Sequence, residues 1–233
     1  MNWTDRRERY RAILAGDECV HPGSVFDPLS ARIAEDLGFE IGMFAGSVAS
    51  MAVLGLPDIV VLTLTEFADQ AYRICRASNL PLMVDADHGY GNALNVRRTV
   101  EELETAGIAG LTIEDTELPQ AFGTVGSTRL ISLEEGISKM RAALDARQDS
   151  NLVIIGRTGA PQITDIGDAV RRIKAYEAAG VDAVFISGVK TRDQLNALCE
   201  AVSLPVMLGG SGSGPAGRET LGSMGGRVSL QGH

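Results

Sequence analysis

The feature that most constrains this chain is a joint that it uses repeatedly: an acidic helix tail, a glycine, then an apolar run. It occurs at residues 35–44, 104–113 and 177–186, with a weaker copy at 223–230. Glycine at a helix end supplies a left-handed cap, and the unbroken apolar run behind it reads as a strand buried on both faces. Four more apolar runs, near 20–25, 80–84, 152–155 and 204–208, bring the expected strands to eight. Helix starts fall between them. Asp27-Pro28 offers a cap and a first-turn proline, and Thr63 with Glu66 and Ser132 with Glu135 read as capping boxes. After Asn92, the residues Val96, Val100 and Leu103 keep helical spacing.

Strands alternating with helices predict an α/β chain with a parallel sheet. Eight strands in one domain favour a (β/α)8 TIM-type barrel over an open sheet, and no G-x-G-x-x-G follows the first strand. The expected organisation is one domain over 1–233, with a short amphipathic helix at about 2–15 laid against the body. The Gly/Ser stretch 209–214 makes a poor seventh helix, and no eighth helix is found after strand eight. The barrel is therefore expected to lack its eighth helix and C-terminal segment, its wall completed elsewhere or left open.

The net charge is −9, with no run of Lys or Arg, which argues against nucleic acid and anionic membrane surfaces as partners. No apolar stretch has membrane length, and residues 2–11 are too charged for a signal peptide. Cys19, Cys75 and Cys199 are odd in number and widely spaced, which suggests reduced thiols in a cytoplasmic protein rather than a disulfide framework or zinc site.

In such barrels the reactive groups lie at the C-terminal ends of the strands. Strand three ends in Asp85-Ala86-Asp87-His88-Gly89-Tyr90-Gly91-Asn92. On an extended chain Asp85 and Asp87 point the same way, and two hard oxygen ligands there suit Mg²⁺ or Mn²⁺. The alternative is a turn in which Asp87 caps the next helix. Neighbouring strand ends tip the balance towards a metal, because they add Glu114-Asp115, Gly156-Arg157-Thr158, the small-residue loop 45–50 and His233. Glu114 at a buried strand end is costly unless paired or metal-bound. Arg157 at a barrel mouth suits an anionic substrate. Gly46 and Ser47 offer backbone N–H groups to an anion, although Ser47 also fits a helix cap. Asp27 reads as a helix cap, Asp115 as a surface acid, and His88 as a stacking or capping residue. Asp58 reads as either a ligand acid or a solvated loop acid, and His233 as either a site residue or a frayed end.

Taken together, the segments 24–31, 46–50, 85–91, 113–115 and 156–158 resemble the isocitrate lyase / phosphoenolpyruvate mutase superfamily, over residues 19–233. Within it, 87–96 and the closing Gln231-Gly232-His233 look most like the oxaloacetate decarboxylase branch. That resemblance implies Mg²⁺-dependent conversion of oxaloacetate to pyruvate and CO2 through a metal-stabilised enolate. It implies Asp85 as the direct metal ligand, with Asp58, Asp87 and Glu114 acting through water. It implies Ser47 and Gly46 as substrate-binding, and Arg157 and His233 as groups that touch the substrate. It also implies a homotetramer, a dimer of dimers, with the eighth helix packed on a neighbouring subunit. The loop 118–129 departs from the lyases of the superfamily because it holds no Cys, and it lacks the Lys and Asn expected for phosphonate chemistry. Two other readings stand beside this one: a C–C or C–P lyase of another 2-keto acid, and a barrel that binds a dicarboxylate without turning it over.

Overall fold

A computed structural model describes residues 2–120, 123, 128–209 and 217–231. Eight strands lie in chain order in one parallel sheet. They are β1 (Gly23–Ser24), β2 (Gly42–Phe44), β3 (Leu82–Asp85), β4 (Gly110–Glu114), β5 (Val153–Thr158), β6 (Ala183–Ser187), β7 (Val206–Gly209) and β8 (Gly226–Ser229). The helices are α1 (Thr4–Ala15), α2 (Pro28–Asp36), α3 (Gly46–Ala49), α4 (Leu64–Ala77), α5 (Ala93–Ala106), α6 (Leu133–Ala146), α7 (Ala160–Ile163), α8 (Ile166–Ala179), α9 (Arg192–Cys199) and α10 (Arg218–Ser223). A π-helical turn, Ser50–Leu54, continues α3.

The repeated joint is built as its glycines require. Gly107 and Gly180 close α5 and α8 at φ +93° and +102°, and each donates its N–H to the helix it ends. The sheet then curls on itself. Val20, just before β1, donates to the carbonyl of Arg227 and accepts from the N–H of Ser229, both at about 3 Å. The strand circle is therefore closed rather than open. The seventh helix is short, as the Gly/Ser composition suggested: α10 runs only over Arg218–Ser223.

Alternation along the strands sorts residues into two cores. Met43, Met83, Ile155, Phe185, Met207 and Val228 point inward and fill the barrel. Val84, Leu111, Ile113, Ile154, Val184 and Leu208 point outward and pack under the helices. Helix α1 closes the N-terminal end. Tyr10 is fully buried among the inner residues, so close to Gly110 that a Cβ there would lie 2.5 Å from its ring. Arg7 anchors the helix to the carbonyls of Ile108 and Glu104 and to Asp149.

Three strands end later than their apolar runs. Asp85, Glu114 and Arg157 still belong to the ladder, with Asp85 opposite Thr112 and Glu114 opposite Arg157. Polar residues there keep their backbone bonds while their side chains reach the barrel mouth.

Candidate active site

The inward alternation places Asp85, Glu114 and Arg157 on three consecutive strands at the C-terminal mouth. The Arg157 guanidinium makes a short ion pair with Asp85, and its Nε lies 3.1 Å from Glu114 Oε2. That second contact is out of line for a hydrogen bond, which leaves the buried Nε–H without an aligned acceptor among the described residues. Below the guanidinium, its carbon lies 5.2 Å from the Phe185 ring centroid, in cation–π contact. Thr112 donates its hydroxyl to Asp85 at 3.1 Å and fixes that carboxylate from the strand beside it.

Asp87 reaches the same place by a route different from the extended chain expected. Strand β3 ends at Asp85, and Asp87 turns into the left-handed region at φ +47°, its N–H bonded to Asp85 Oδ1 at 3.2 Å. Its carboxylate lies against Gly46, where an added Cβ would come within 2.8 Å of Oδ1. The capping alternative is excluded, because Asn92 caps α5 by accepting from the N–H of Leu94. Tyr90 at φ +60° and Val60 at φ +59° share the left-handed conformation. A non-glycine residue held there costs on the order of 1–3 kcal/mol, and such strain gathers at functional sites. Val60 sits two residues from Asp58.

The electrostatics are those of crowded acids. Burial, reinforced by Asp85, Asp58 and Glu114, pushes the Asp87 carboxyl up to about 8. Burial also raises Glu114, against the pull of Arg157. Asp58 is raised by desolvation and by Asp85, so the exposed loop 55–61 brings its charge into the same field. Arg157 goes the other way: burial lowers it, but Asp85 and Glu114 outweigh that and hold it firmly charged.

Ser47 lies exposed at the first turn of α3, so the amides of Gly46, Ser47 and Val48 have no acceptor within the helix. No side-chain bond from Ser47 caps this helix, and its N-cap is Ala45. Asp27 is the helix cap expected, accepting from the N–H of Ser30 at 2.7 Å. Asp115 is not a surface acid. It is fully buried and faces outward, bound to Arg172 at 3.1 Å and to the Tyr176 hydroxyl at 2.7 Å. His88 is buried with its ring tilted over Tyr90, and burial lowers it to about 4, so it is neutral near pH 7. Lys139 and Tyr90 join the site without having been expected. Lys139 reaches the His88 carbonyl, and Tyr90 stands near Asp87, Asp85 and Asp58. His233, Gly232, most of the Gly/Ser stretch 209–214 and most of the loop 118–129 fall outside the described residues.

Among the described residues no three His, Cys, Asp or Glu side chains converge as a ready cage for a metal. The donor set does fit a hard divalent cation that keeps most of its waters: an all-oxygen group, several acids driven towards protonation by burial and, after it, by one another's charge, and one counter-ion.

Residues 11–233 match the profile of the phosphoenolpyruvate phosphomutase family. An oxaloacetate decarboxylase of Rhodopseudomonas palustris is 60% identical over all 233 residues, which cover 81% of that protein, and one of Bradyrhizobium diazoefficiens is equally similar. Among solved structures, oxaloacetate acetylhydrolase in complex with 3,3-difluorooxalacetate superposes with a TM-score of 0.88 at 30% identity, over 97% of this chain and 80% of that one. Phosphonopyruvate hydrolase in complex with oxalate and Mg²⁺ gives 0.87 at 29% identity, over 98% and 80%.

Proposed function

Because this chain belongs to the phosphoenolpyruvate phosphomutase family, we propose that it is a metal-dependent carboxy-lyase that cleaves oxaloacetate to pyruvate and CO2. The observation that carries this reading is the inward layer of Asp85, Glu114 and Arg157, with Asp87 and Asp58 in the same field, in a chain 60% identical to proteins named oxaloacetate decarboxylase. Asp85 holds the metal directly, and Asp58, Asp87 and Glu114 hold it through water. Mg²⁺ is the cation proposed, with Mn²⁺ next, because every donor is a hard oxygen. When bound, the cation supplies a Lewis acid for charge that develops at the substrate's 2-keto group.

The protein's own groups orient and exclude. Arg157 grips a substrate carboxylate with its planar fork, and its unaligned Nε–H supports that role. The amides of Gly46 and Ser47, which have no acceptor within their helix, hold the other carboxylate at the start of α3. Cleavage breaks the C3–C4 bond, sends its electron pair towards the keto group and releases CO2. A proton then adds to C3. His233 is the residue proposed to bond the substrate and deliver that proton. The step needs an electron sink and positioned anions, not a strong base, in keeping with the absence of Cys from residues 118–129.

For assembly we propose a homotetramer, a dimer of dimers. In support, α2 and its C-cap carry an outer stripe of Leu29, Ile33 and Leu37, each at least half exposed, at the spacing of one helix face. For location we propose the cytoplasm. The three cysteines are unpaired, and among the described residues no helix is long and apolar enough to cross a membrane. The test follows the loss of the oxaloacetate ketone with Mg²⁺, with EDTA, and with Asp85→Ala. A rate above that of free Mg²⁺, lost in EDTA and in the variant, is expected. A rate no higher than free Mg²⁺ would overturn the reading, and turnover of phosphonopyruvate instead would move the chain to C–P chemistry.

A further inference from the structure

The loop that carries Asp87 is backbone under load. Asp87, Gly89, Tyr90 and Gly91 all have positive φ, and a Cβ on Gly89 would meet Val96 at 2.5 Å. Three successive carbonyls in this loop are each held from a different element. Asp87 accepts from the N–H of Glu114 on β4 at 2.8 Å. Gly89 accepts from the Thr99 hydroxyl on α5 at 3.1 Å. His88 accepts from Lys139 Nζ on α6 at 3.0 Å.

The third donor is unlike the other two. Lys139 is 2% exposed, and among the described residues it forms no salt bridge. A buried ammonium is costly, and one carbonyl bond offsets little of that cost. A second attraction is its setting. The charged groups that face it are Glu135 from its own helix and Glu114 and Asp115 from the end of β4. Lys139 thus sits behind the acid cluster, tied to the carbonyl that directly follows Asp87, between the two left-handed residues Asp87 and Tyr90.

We propose that Lys139 is a positioning residue for the metal site: it pins the His88 carbonyl and so holds the Asp87 carboxylate against Gly46 and beside Asp85. It touches neither metal nor substrate. The inference rests on the metal reading above, and its test separates the two.

Lys139→Met removes donor and charge at similar length, and Lys139→Gln keeps a neutral donor. Two readouts apply to each. Hydrogen exchange of residues 85–92 in metal-free protein is expected to quicken at least tenfold in Lys139→Met, with β5 and α8 unchanged. The Mg²⁺ dissociation constant, by calorimetry, is expected to rise roughly 10–100-fold, the range seen when a group that orients a metal ligand is removed. Lys139→Gln is expected to fall between Lys139→Met and the wild type in both. If Lys139→Met does not fold, Lys139→Gln against wild type carries both readouts. Exchange and Mg²⁺ affinity within twofold of wild type would overturn the positioning role while leaving the metal reading intact. Wild type that binds Mg²⁺ no better than Asp85→Ala would overturn the metal reading and this inference with it.

Discussion

Arg157 and Arg172 are both largely buried among carboxylates, one inside the strand ring and one outside it, and they are finished to different degrees. Each nitrogen of Arg172 has an aligned acceptor: Nε on Asp168 at 2.9 Å, one terminal nitrogen on Asp115 at 3.1 Å, the other on the carbonyl of Ile131 at 3.1 Å. Arg157 pairs with Asp85 but leaves its Nε–H unaligned, and Asp58, Asp87 and Glu114 crowd around with raised pKa values. The outer network gives every nitrogen of its guanidinium an acceptor and ties α8 to the barrel wall, although Asp115 Oδ1 has no aligned partner among the described residues. The inner one gathers four carboxyl groups, Asp58, Asp85, Asp87 and Glu114, around one guanidinium, more than it can hold ionised, which suits the cation proposed above. Neighbours in sequence can belong to opposite networks. Glu114 points in and Asp115 points out, because successive strand residues face opposite sides.

Substitutions can break this comparison from either side. The largest effect is expected inside. Asp85→Ala should lower kcat by about 10³-fold or more, read by oxaloacetate turnover at saturating Mg²⁺. Turnover near wild type would remove Asp85 from the site. Outside, Asp115→Ala takes one of three acceptors from Arg172 and the carboxylate partner from the buried Tyr176 hydroxyl. It should cost about 1–3 kcal/mol in urea unfolding, because Arg172 keeps Asp168, with Mg²⁺ affinity of the folded fraction preserved. A loss of Mg²⁺ binding without loss of stability would reverse the assignment of the two networks. Next, Arg157→Ala should raise KM by roughly 10–100-fold with a smaller change in kcat, because a charged hydrogen bond to the substrate is lost. An unchanged KM would show that the guanidinium serves only Asp85 and Glu114.

The last test is a pH profile. The Asp87 carboxyl is pushed up to about 8 by burial and by its acidic neighbours, against roughly 3.9 in an unfolded chain. Between those values the folded state binds more protons than the unfolded one, so its stability falls as pH rises from about 4 to about 8. The urea midpoint of metal-free protein should drop from pH 5 to pH 8. Added Mg²⁺ should restore more stability at pH 8 than at pH 5. A flat profile would mean that the acids are not crowded.

Much of the fold was legible in the sequence because the joint is a local signal: Gly107 and Gly180 announce the helix end, and the apolar run announces the strand. The far ends of the strands were not. Asp85, Glu114 and Arg157 read as residues just past the apolar runs, at the strand ends, because hydropathy stops where the backbone ladder continues. Asp115 was misplaced for the same reason, since its facing depends on knowing that the strand extends to Glu114. Asp87 reached the site through a left-handed turn that spacing alone does not contain. Lys139 carried an unused signal. With Gly136, Met140 and Ala143 it lies on the buried stripe of α6, where a lysine needs a reason.

Tyr10 stoppers the N-terminal end of the barrel. Its ring fills the space against Gly110, and its hydroxyl lies 3.9 Å from the sulfur of Met207. Traffic is therefore two-way through the C-terminal mouth. In the proposed reaction, pyruvate and CO2 leave by the opening through which oxaloacetate enters.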